Sequence, residues 1–571
     1  MAIQGSKTSL LWSGSLQTTH ASDESLDAEK DASVMARPVI TRRLLRLLTR
    51  GIVFVVGAMI GVHVFISFIS AKIRQPVPQA EEIRYPDAQQ GVTGGERRLA
   101  IVVPANNPGP DICKLVAGAI ALDYPSPILI NWGKNFSDVD GSAGGVAAWA
   151  PHFGKVTGTL EYLDRVTGPD INTRDRLDDE DLVLILDAYD IWFQLPPSVL
   201  LHRYHESNKQ ANARLARQWG GSEDIPMQQT IIISAQKRCY PTLKSGSNLH
   251  CDALPESSLR PDIYGPRTDT TASDHRYVRP RYINSGSFMG PVGDMKRYFR
   301  RVKQRMERQF SEGVQLPGDQ GVFGEILGEQ EVWRQWRRDQ HGSAMMPDNE
   351  TENEAAALVQ RDFEYHLGLD YTQGLFLPTV YSDKDGDFVS LNNQSAVEDR
   401  SSQLGISPPR LQGVPKDVLA HTDNPLAEVV LPGDDEPTWG DVPLYADFFT
   451  TAVPVMVHHN AWKHGLKGRR TSWWDRTWYF PHLRQLLELR INKTSVKLAP
   501  LARVPARDGH LTYFAPRSDA EKRTPRVFRA EGVKVGLEEV GFEEVCRYPE
   551  ETEETEKHWY DEVFRDGKGS I

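Results

Sequence analysis

Five consecutive apolar residues, Leu182-Val183-Leu184-Ile185-Leu186, lead directly into Asp187-Ala188-Tyr189-Asp190. The run is short, entirely Leu or β-branched, and preceded by the acidic turn Asp178-Asp179-Glu180-Asp181, a pattern that predicts a parallel strand buried on both faces. Asp187 and Asp190 then fall just past the strand's carboxyl end, where open α/β sheets bind their ligands. Hard divalent cations such as Mn2+ and Mg2+ take carboxylate oxygens and share their remaining positions with substrate phosphates and water. The same two acids would equally serve a turn or a helix cap, so this pair alone does not decide between structure and chemistry.

The surrounding segments supply the rest of an α/β fold. Leu99 to Ala105 reads as a buried strand, Pro110 to Leu122 as a helix, and Ile128 to Trp132 as a second strand. After a Gly-rich loop comes a helix over roughly 154–165, then the strand at 182–186, and further β-rich runs at Thr230 to Ala235 and Tyr282 to Gly290. This alternation predicts a mostly parallel sheet flanked by helices. Residues 383–438, dense in Asp, Asn, Ser, Pro and Gly, read as a loop-rich insertion in a body spanning 98–490. Residues 491–571 read as a charged C-terminal extension, with the acidic stretch from Glu550 to Glu556 as a solvated face.

The N-terminal region sets the compartment. Residues 1–50 form a polar tail, disordered over most of its length by composition. From Gly51 to Ser70 twenty residues carry no Asp, Glu, Lys or Arg, which is long enough to span a bilayer as a helix. Arg37, Arg42, Arg43, Arg46 and Arg50 precede that span and only Lys72 and Arg74 follow it closely, which predicts a cytosolic N-terminus. A cleaved signal peptide fits poorly with so long a leader. The chain is therefore expected to be a single-pass type II protein of the Golgi or endoplasmic reticulum membrane, with a Pro- and Gly-containing stem over 71–97 and a lumenal body. Asn135, Asn349, Asn393 and Asn492 lie in N-x-Ser/Thr sequons on that side. Cys239 and Cys251, twelve positions apart across a loop with Pro241 and Gly246, are candidates for a disulfide in an oxidising lumen, whereas Cys113 and Cys546 have no evident partner. The formal net charge of −11 argues against a nucleic acid polymer as partner.

A second constellation stands far downstream, at Val455-Met456-Val457-His458-His459-Asn460 with Lys463. A histidine there could complete the metal shell begun by Asp187 and Asp190, and Lys463 could offset charge on a departing diphosphate. Two histidines ahead of a loop also occur as plain surface residues. His421-Thr422-Asp423 spells an iron-type pair but lacks a convincing strand around it.

Taken in order, the run through Ile191-Trp192-Phe193, Ser234-Ala235-Gln236-Lys237-Arg238-Cys239-Tyr240-Pro241, Asn284-Ser285-Gly286, Gly318-Asp319-Gln320, Leu369-Asp370 with Phe376, and Val457-His458-His459-Asn460 resemble one family. It is the glycosyltransferase domain of the procollagen lysyl hydroxylases and its fungal membrane-anchored relatives. The resemblance implies a GT-A fold, a nucleotide-sugar donor such as a UDP-sugar, Mn2+ or Mg2+ as cofactor, and a glycan or protein acceptor. It implies Asp187, Asp190 and His458 as metal ligands, with His459 as the substitute third. Tyr189 would contact the uridine, Lys155 would sit near the donor, and Asn284 and Gly286 would line the sugar pocket. Asp319 would orient sugar or acceptor, or cap a helix. Gln236 replaces a Glu usual in the family, and His459 and Ala461 replace glycines. The competing expectation is an inactive carbohydrate-binding or scaffold protein that has kept the fold.

Overall fold

The chain divides into two units, Met1–Arg84 and Tyr85–Ile571. The computed structural model describes, all within the second, residues 94–135, 150–221, 225–242, 248–270, 275–314, 316–342, 363–429, 437–460, 467–492, 498–520, 522–531, 534–550, 552 and 556–571. The tail expected over 1–50, the membrane helix over 51–70 and the stem as far as residue 93 lie outside these. No described helix is long and apolar enough to cross a membrane.

Among the described residues fifteen strands carry the architecture: β1 (Gly95–Pro104), β2 (Ile128–Ile130), β3 (Leu182–Leu186), β4 (Ile191–Phe193), β5 (Ile231–Gln236), β6 (Tyr282–Pro291), β7 (Leu367–Asp370), β8 (Phe376–Pro378), β9 (Gly386–Ser390), β10 (Pro443–Asp447), β11 (Met456–His458), β12 (Ala502–Ala506), β13 (Gly509–Phe514), β14 (Arg526–Glu531) and β15 (Lys534–Glu539). The central sheet runs β15-β14-β2-β1-β3-β6-β5-β7, with β13 and β12 branching from β1. β14, β2, β1 and β3 pair in parallel, as do β5 and β7. β6 runs antiparallel to both its neighbours, β3 and β5. Sequence pattern could not give that direction, because a strand buried on both faces shows the same apolar run whichever way it points.

Alternation along the strands decides which side each residue packs on. Leu99, Ile101 and Val103 of β1 and Leu182, Leu184 and Leu186 of β3 enter one core. Ala100 and Val102 of β1, with Val183 and Ile185 of β3, enter the other. Helix α1 (Pro110–Ala121) packs into the first core. Helix α2 (Ala150–Val166) packs into the second, beside two further helices at Val292–Ser311 and Gln320–Gly342. The result is helices on both faces of a mostly parallel sheet. Helix α2 starts four residues before the expected 154, so it gains His152 in its first turn.

Two boundaries differ from those expected. Gly95 to Arg97, assigned to the stem, are already strand and pair with Leu511 to Tyr513 of β13. The charged stretch after 490 is built into the body, since β14 lies parallel beside β2 and extends the central sheet. Val527 enters the first core and Phe528 the second, while Arg526 is buried in an ion pair with Asp519 at 2.6 Å. The insertion at 383–438 contains β9, a helix over Gln394–Gln403 capped by Asn393, and a short helix at Lys416–His421.

The C-terminal stretch is also pinned covalently. Cys113 of α1 and Cys546, for which the sequence offered no partner, form a disulfide across a sequence separation of 433. Next to it, buried Lys114 reaches Glu562 at 2.6 Å and Asp111 at 3.2 Å. A cross-link over so long a loop restricts the unfolded chain strongly, so Cys113→Ser is expected to cost ~2–5 kcal/mol of stability. Urea denaturation of the full-length protein would show this as a lower midpoint; an unchanged midpoint would assign the docking to packing alone.

Candidate functional site

The turn from Asp187 to Asp190 leaves β3 and enters β4, and a β ladder grips it on either side. On one side the antiparallel pairing of β3 with β6 reaches Leu186 opposite Ser287, and the Asp187 N–H donates to the Gly286 carbonyl at 2.8 Å. That places Asn284, Ser285 and Gly286 beside Asp187. On the other side β11 pairs with β4 so that His458 stands opposite Ile191, and the His459 N–H donates to the Asp190 carbonyl at 2.7 Å. Register alone thus delivers a histidine from the far end of the chain to the two carboxylates.

Ligand atoms of Asp187, Asp190 and His458 all lie within 4.8 Å of one another, so the three could hold a metal ion. His458 Nε2 is 3.1 Å from Asp190 Oδ1 and 3.8 Å from Asp187 Oδ2. Asp190 and His458 are buried, whereas the Asp187 side chain is 34% exposed, so the group opens to solvent over Asp187. Burial would raise the Asp190 carboxyl, but His458 and Lys467 outweigh it and hold that group below the usual carboxylate range.

A relay of hydrogen bonds fixes the histidine. Gln236 Nε2 donates to the Arg238 carbonyl at 2.6 Å, which turns its Oε1 toward Asn284 Nδ2 at 2.9 Å. Asn284 Oδ1 is thereby left to accept, and it takes the Gly286 N–H and faces His458 Nδ1, each at 3.1 Å. Nδ1 is thereby the nitrogen that donates to Asn284, which leaves Nε2, on the carboxylate side, as the nitrogen that would ligate a metal in exchange for its own proton. The space above Gly286 belongs to the same arrangement: a Cβ there would overlap the His458 imidazole. Gly286 therefore makes room for His458.

Its neighbour His459 is fully buried, packs against Trp192 at 4.1 Å between ring centroids with the planes tilted by 56°, and has no hydrogen-bond partner at either ring nitrogen among the described residues. Burial pushes its pKa down to about 3, so it stays neutral at cellular pH. It is not part of the metal-capable group; His458 is the histidine the fold supplies.

Lys155, on α2, joins this group to a third carboxylate. Its Nζ lies 3.0 Å from Asp187 Oδ1, donates to the Ser285 carbonyl at 2.8 Å, and approaches Asp319 Oδ2 at 2.6 Å, an ion pair set off the hydrogen-bonding angle. Burial would depress this lysine, but Asp187 and Asp319 override it and keep its pKa above the ordinary range. Asp319, which burial would raise, is pulled well below its usual range by Lys155 and His152. His152 Nδ1 stands 3.4 Å from Asp319 Oδ1. Tyr189 points its hydroxyl into the loop after β1, where it accepts the N–H groups of Asn106 and Asn107 at 3.2 and 3.0 Å.

The basic residue found beside Asp190 is Lys467, 3.3 Å from Oδ2; Lys463 lies outside the described residues. Lys467 and His152 were not singled out from sequence. The only signal for either was a cation four residues past Lys463 and a histidine three before Lys155. The expected disulfide between Cys239 and Cys251 is present, which takes both sulfurs of the second metal-capable group, Cys239-His250-Cys251, out of thiolate chemistry. His421 lies flat on His202, 3.4 Å between ring centroids.

Behind Gln236 lies a buried charge cluster. Lys237 pairs with Asp385, which also takes Arg276 at 2.7 Å. Asp447 accepts backbone N–H groups of Phe449 and Thr450 on Oδ1, while its buried Oδ2 has no partner among the described residues. Burial, then Asp385, push its pKa up from 3.8 to about 6 against the pull of Lys237.

Comparison with models of known protein families finds no match for this chain, and no curated protein sequence matches it.

Two expectations test this geometry. Gln236→Glu would face the Arg238 carbonyl with an oxygen that cannot donate; Mn2+ affinity by titration calorimetry is expected to fall by ~10–100-fold, the usual cost of losing an outer partner. Equal affinity would show that the relay does not orient His458. For Asp447, a folded pKa above the unfolded one means stability present in acid is lost as pH rises from 3.8 through about 6. Urea midpoints of wild type should therefore decline relative to Asp447→Asn across that window, and a constant difference would contradict it.

Proposed function

We propose that this chain is a metal-dependent glycosyltransferase that moves a hexosyl group from a UDP-sugar to a glycan or protein acceptor, with Mn2+ as its ion. The observation that carries the reading is the meeting of Asp187, Asp190 and His458 at a solvent-opening strand end, directly beside the Lys155–Asp319 pair. Two carboxylate oxygens and a neutral imidazole suit a borderline divalent ion, and the nitrogen donor favours Mn2+ over Mg2+. When bound, such an ion supplies Lewis-acid stabilisation of charge on a diphosphate leaving group.

Charge arithmetic supports the same ligand. Asp187, Asp190 and Asp319 carry three negative charges against two positive ones on Lys155 and Lys467, a balance of −1. A divalent cation turns that into +1, which attracts a nucleoside diphosphate and would be idle for a neutral sugar. Tyr189 and the Asn106–Asn107 loop it clamps stand at the nucleotide side of this reading, and Asn284 at the sugar side. Two disulfides accord with a secretory lumen reached through the anchor expected at 51–70.

The test is direct. Full-length protein in detergent, incubated with Mn2+ and a panel of UDP-sugars, is expected to release UDP, and Asp190→Ala to lose metal-dependent UDP binding. Folded protein that neither binds nor releases UDP would leave the carbohydrate-binding or scaffold reading in its place. Unchanged UDP affinity in Asp190→Ala would remove that residue from the site.

A further inference from the structure

We propose that residues 562–565 are a functional part of the strand-end site: Glu562, acting through buried Lys114, positions the segment 467–475 so that Lys467 and Arg470 face the turn from Asp187 to Asp190. Glu562 and Lys114 are positioning residues. The inference rests on the glycosyltransferase reading and brings into it a stretch that reads from sequence as a charged extension.

Lys114 of α1 is fully buried, and an ammonium group has three N–H donors to satisfy. Its Nζ places them on Asp111 Oδ1 at 3.2 Å, on the Arg470 carbonyl at 3.1 Å and on Glu562 Oε1 at 2.6 Å. The shortest of these reaches the short helix at Trp559–Val563. Burial would raise the Glu562 carboxyl, but Lys114 and Tyr548 hold it below its ordinary value, so it stays ionised opposite the ammonium. Asp111 is raised by burial in spite of Lys114 and Arg470. Glu562 is therefore the firmer of the two counter-charges.

Further contacts join the same pieces of chain. Trp474 Nε1 donates to the Val563 carbonyl at 2.8 Å, and Arg565 reaches the Thr471 carbonyl at 3.1 Å and Asp475 at 2.8 Å. Directly or through Lys114, residues 562–565 thus grip the segment at Arg470, Thr471, Trp474 and Asp475.

The gripped segment touches the metal-capable turn twice. Lys467 Nζ is 3.3 Å from Asp190 Oδ2. Arg470 Nη1 donates to the Tyr189 carbonyl at 3.5 Å, the outer limit of such a bond, while its Nε pairs with Asp111 at 2.9 Å. Arg470 is held at its backbone by Lys114 and at its side chain by Asp111, and Lys467 stands three residues before it. A cation taking Asp190 releases the Lys467 ammonium, but the backbone beside it stays fixed, so its charge remains within reach of a diphosphate at that ion. Apolar residues of like volume often stabilise a fold as well as a buried ion pair does, so the value of this one lies in the geometry it sets.

UDP affinity in saturating Mn2+ would be measured by titration calorimetry on full-length protein in detergent. Wild type, Glu562→Gln, Lys467→Met and the double variant would be compared, with folding checked by circular dichroism. Glu562→Gln keeps the shape but removes the charge opposite Lys114, and UDP affinity is expected to fall by ~10-fold, the lower end for loss of a residue that orients a metal site from outside. Lys467→Met should lose at least as much. The double variant should match Lys467→Met within ~2-fold, because contacts that act through one another do not add. A role in stability alone would leave the folded Glu562→Gln protein with wild-type affinity, which overturns the proposal; so do losses that multiply in the double variant. If Glu562→Gln does not fold, Arg565→Ala removes an exposed side chain holding the same segment and takes its place in the same cycle, with the same results for and against. Wild-type protein that binds no UDP removes the glycosyltransferase reading and this inference with it, an outcome distinct from a wild type and a Glu562→Gln variant that bind UDP equally.

Discussion

The four-residue turn from Asp187 to Asp190 is held by backbone hydrogen bonds at both of its ends, to Gly286 on one strand and from His459 after another. Each bond continues a ladder whose strands are buried, so shifting the turn would require a slip of β6 or β11, and a one-residue slip would send every buried side chain to the wrong face. The cores on the two sides of the sheet thereby fix where the carboxylates stand. Packing energy is spent on the strands, and the polar groups that follow them inherit its precision.

Burying charges beside one another is costly unless each is paired. Here Lys467 pairs with Asp190, His458 stands between Asp190 and Asp187, and Lys155 joins Asp187 to Asp319, whose other oxygen faces His152. The two lysines differ in exposure. Lys467 is 27% exposed, so it can retreat into water when a cation takes its place at Asp190. Lys155 is 6% exposed and is committed to Asp187, Asp319 and the Ser285 carbonyl together. Of the two cations, Lys467 is the natural counter-charge in the absence of an ion, and Lys155 is a permanent part of the framework.

How much of this the sequence could disclose follows from the range of the interactions. Leu182 to Leu186 is read to the residue, because a strand buried on both faces is defined by its own composition. Asp187 and Asp190 follow from it by adjacency. His458 could be nominated only by chemistry, since its approach depends on the register of β11 against β4. The pairing of Cys113 with Cys546 and the place of β14 beside β2 were out of reach for the same reason: nothing local to either segment names its partner. Charge misled at 491–571, where many Lys, Arg and Glu residues stand among buried apolar ones such as Val527, Val545 and Trp559. His152 was hidden more simply, because the start of α2 before Gly154 carries no cap signal strong enough to place it.

Gln236 shows how a departure from a resemblance can be read as physics. A carboxylate at that position could accept from Asn284 Nδ2, but it would oppose the Arg238 carbonyl, which also only accepts. The amide satisfies both neighbours because it has one donor end and one acceptor end. Its orientation is imposed from outside, by a backbone carbonyl that has no alternative role, and it is transmitted through Asn284 to the ring of His458. A neutral Gln also adds no further negative charge behind a site that already holds three carboxylates. The substitution therefore keeps His458 Nδ1 on Asn284 and Nε2 toward the carboxylates while leaving the charge balance at the strand end set by Asp187, Asp190 and Asp319 against Lys155 and Lys467.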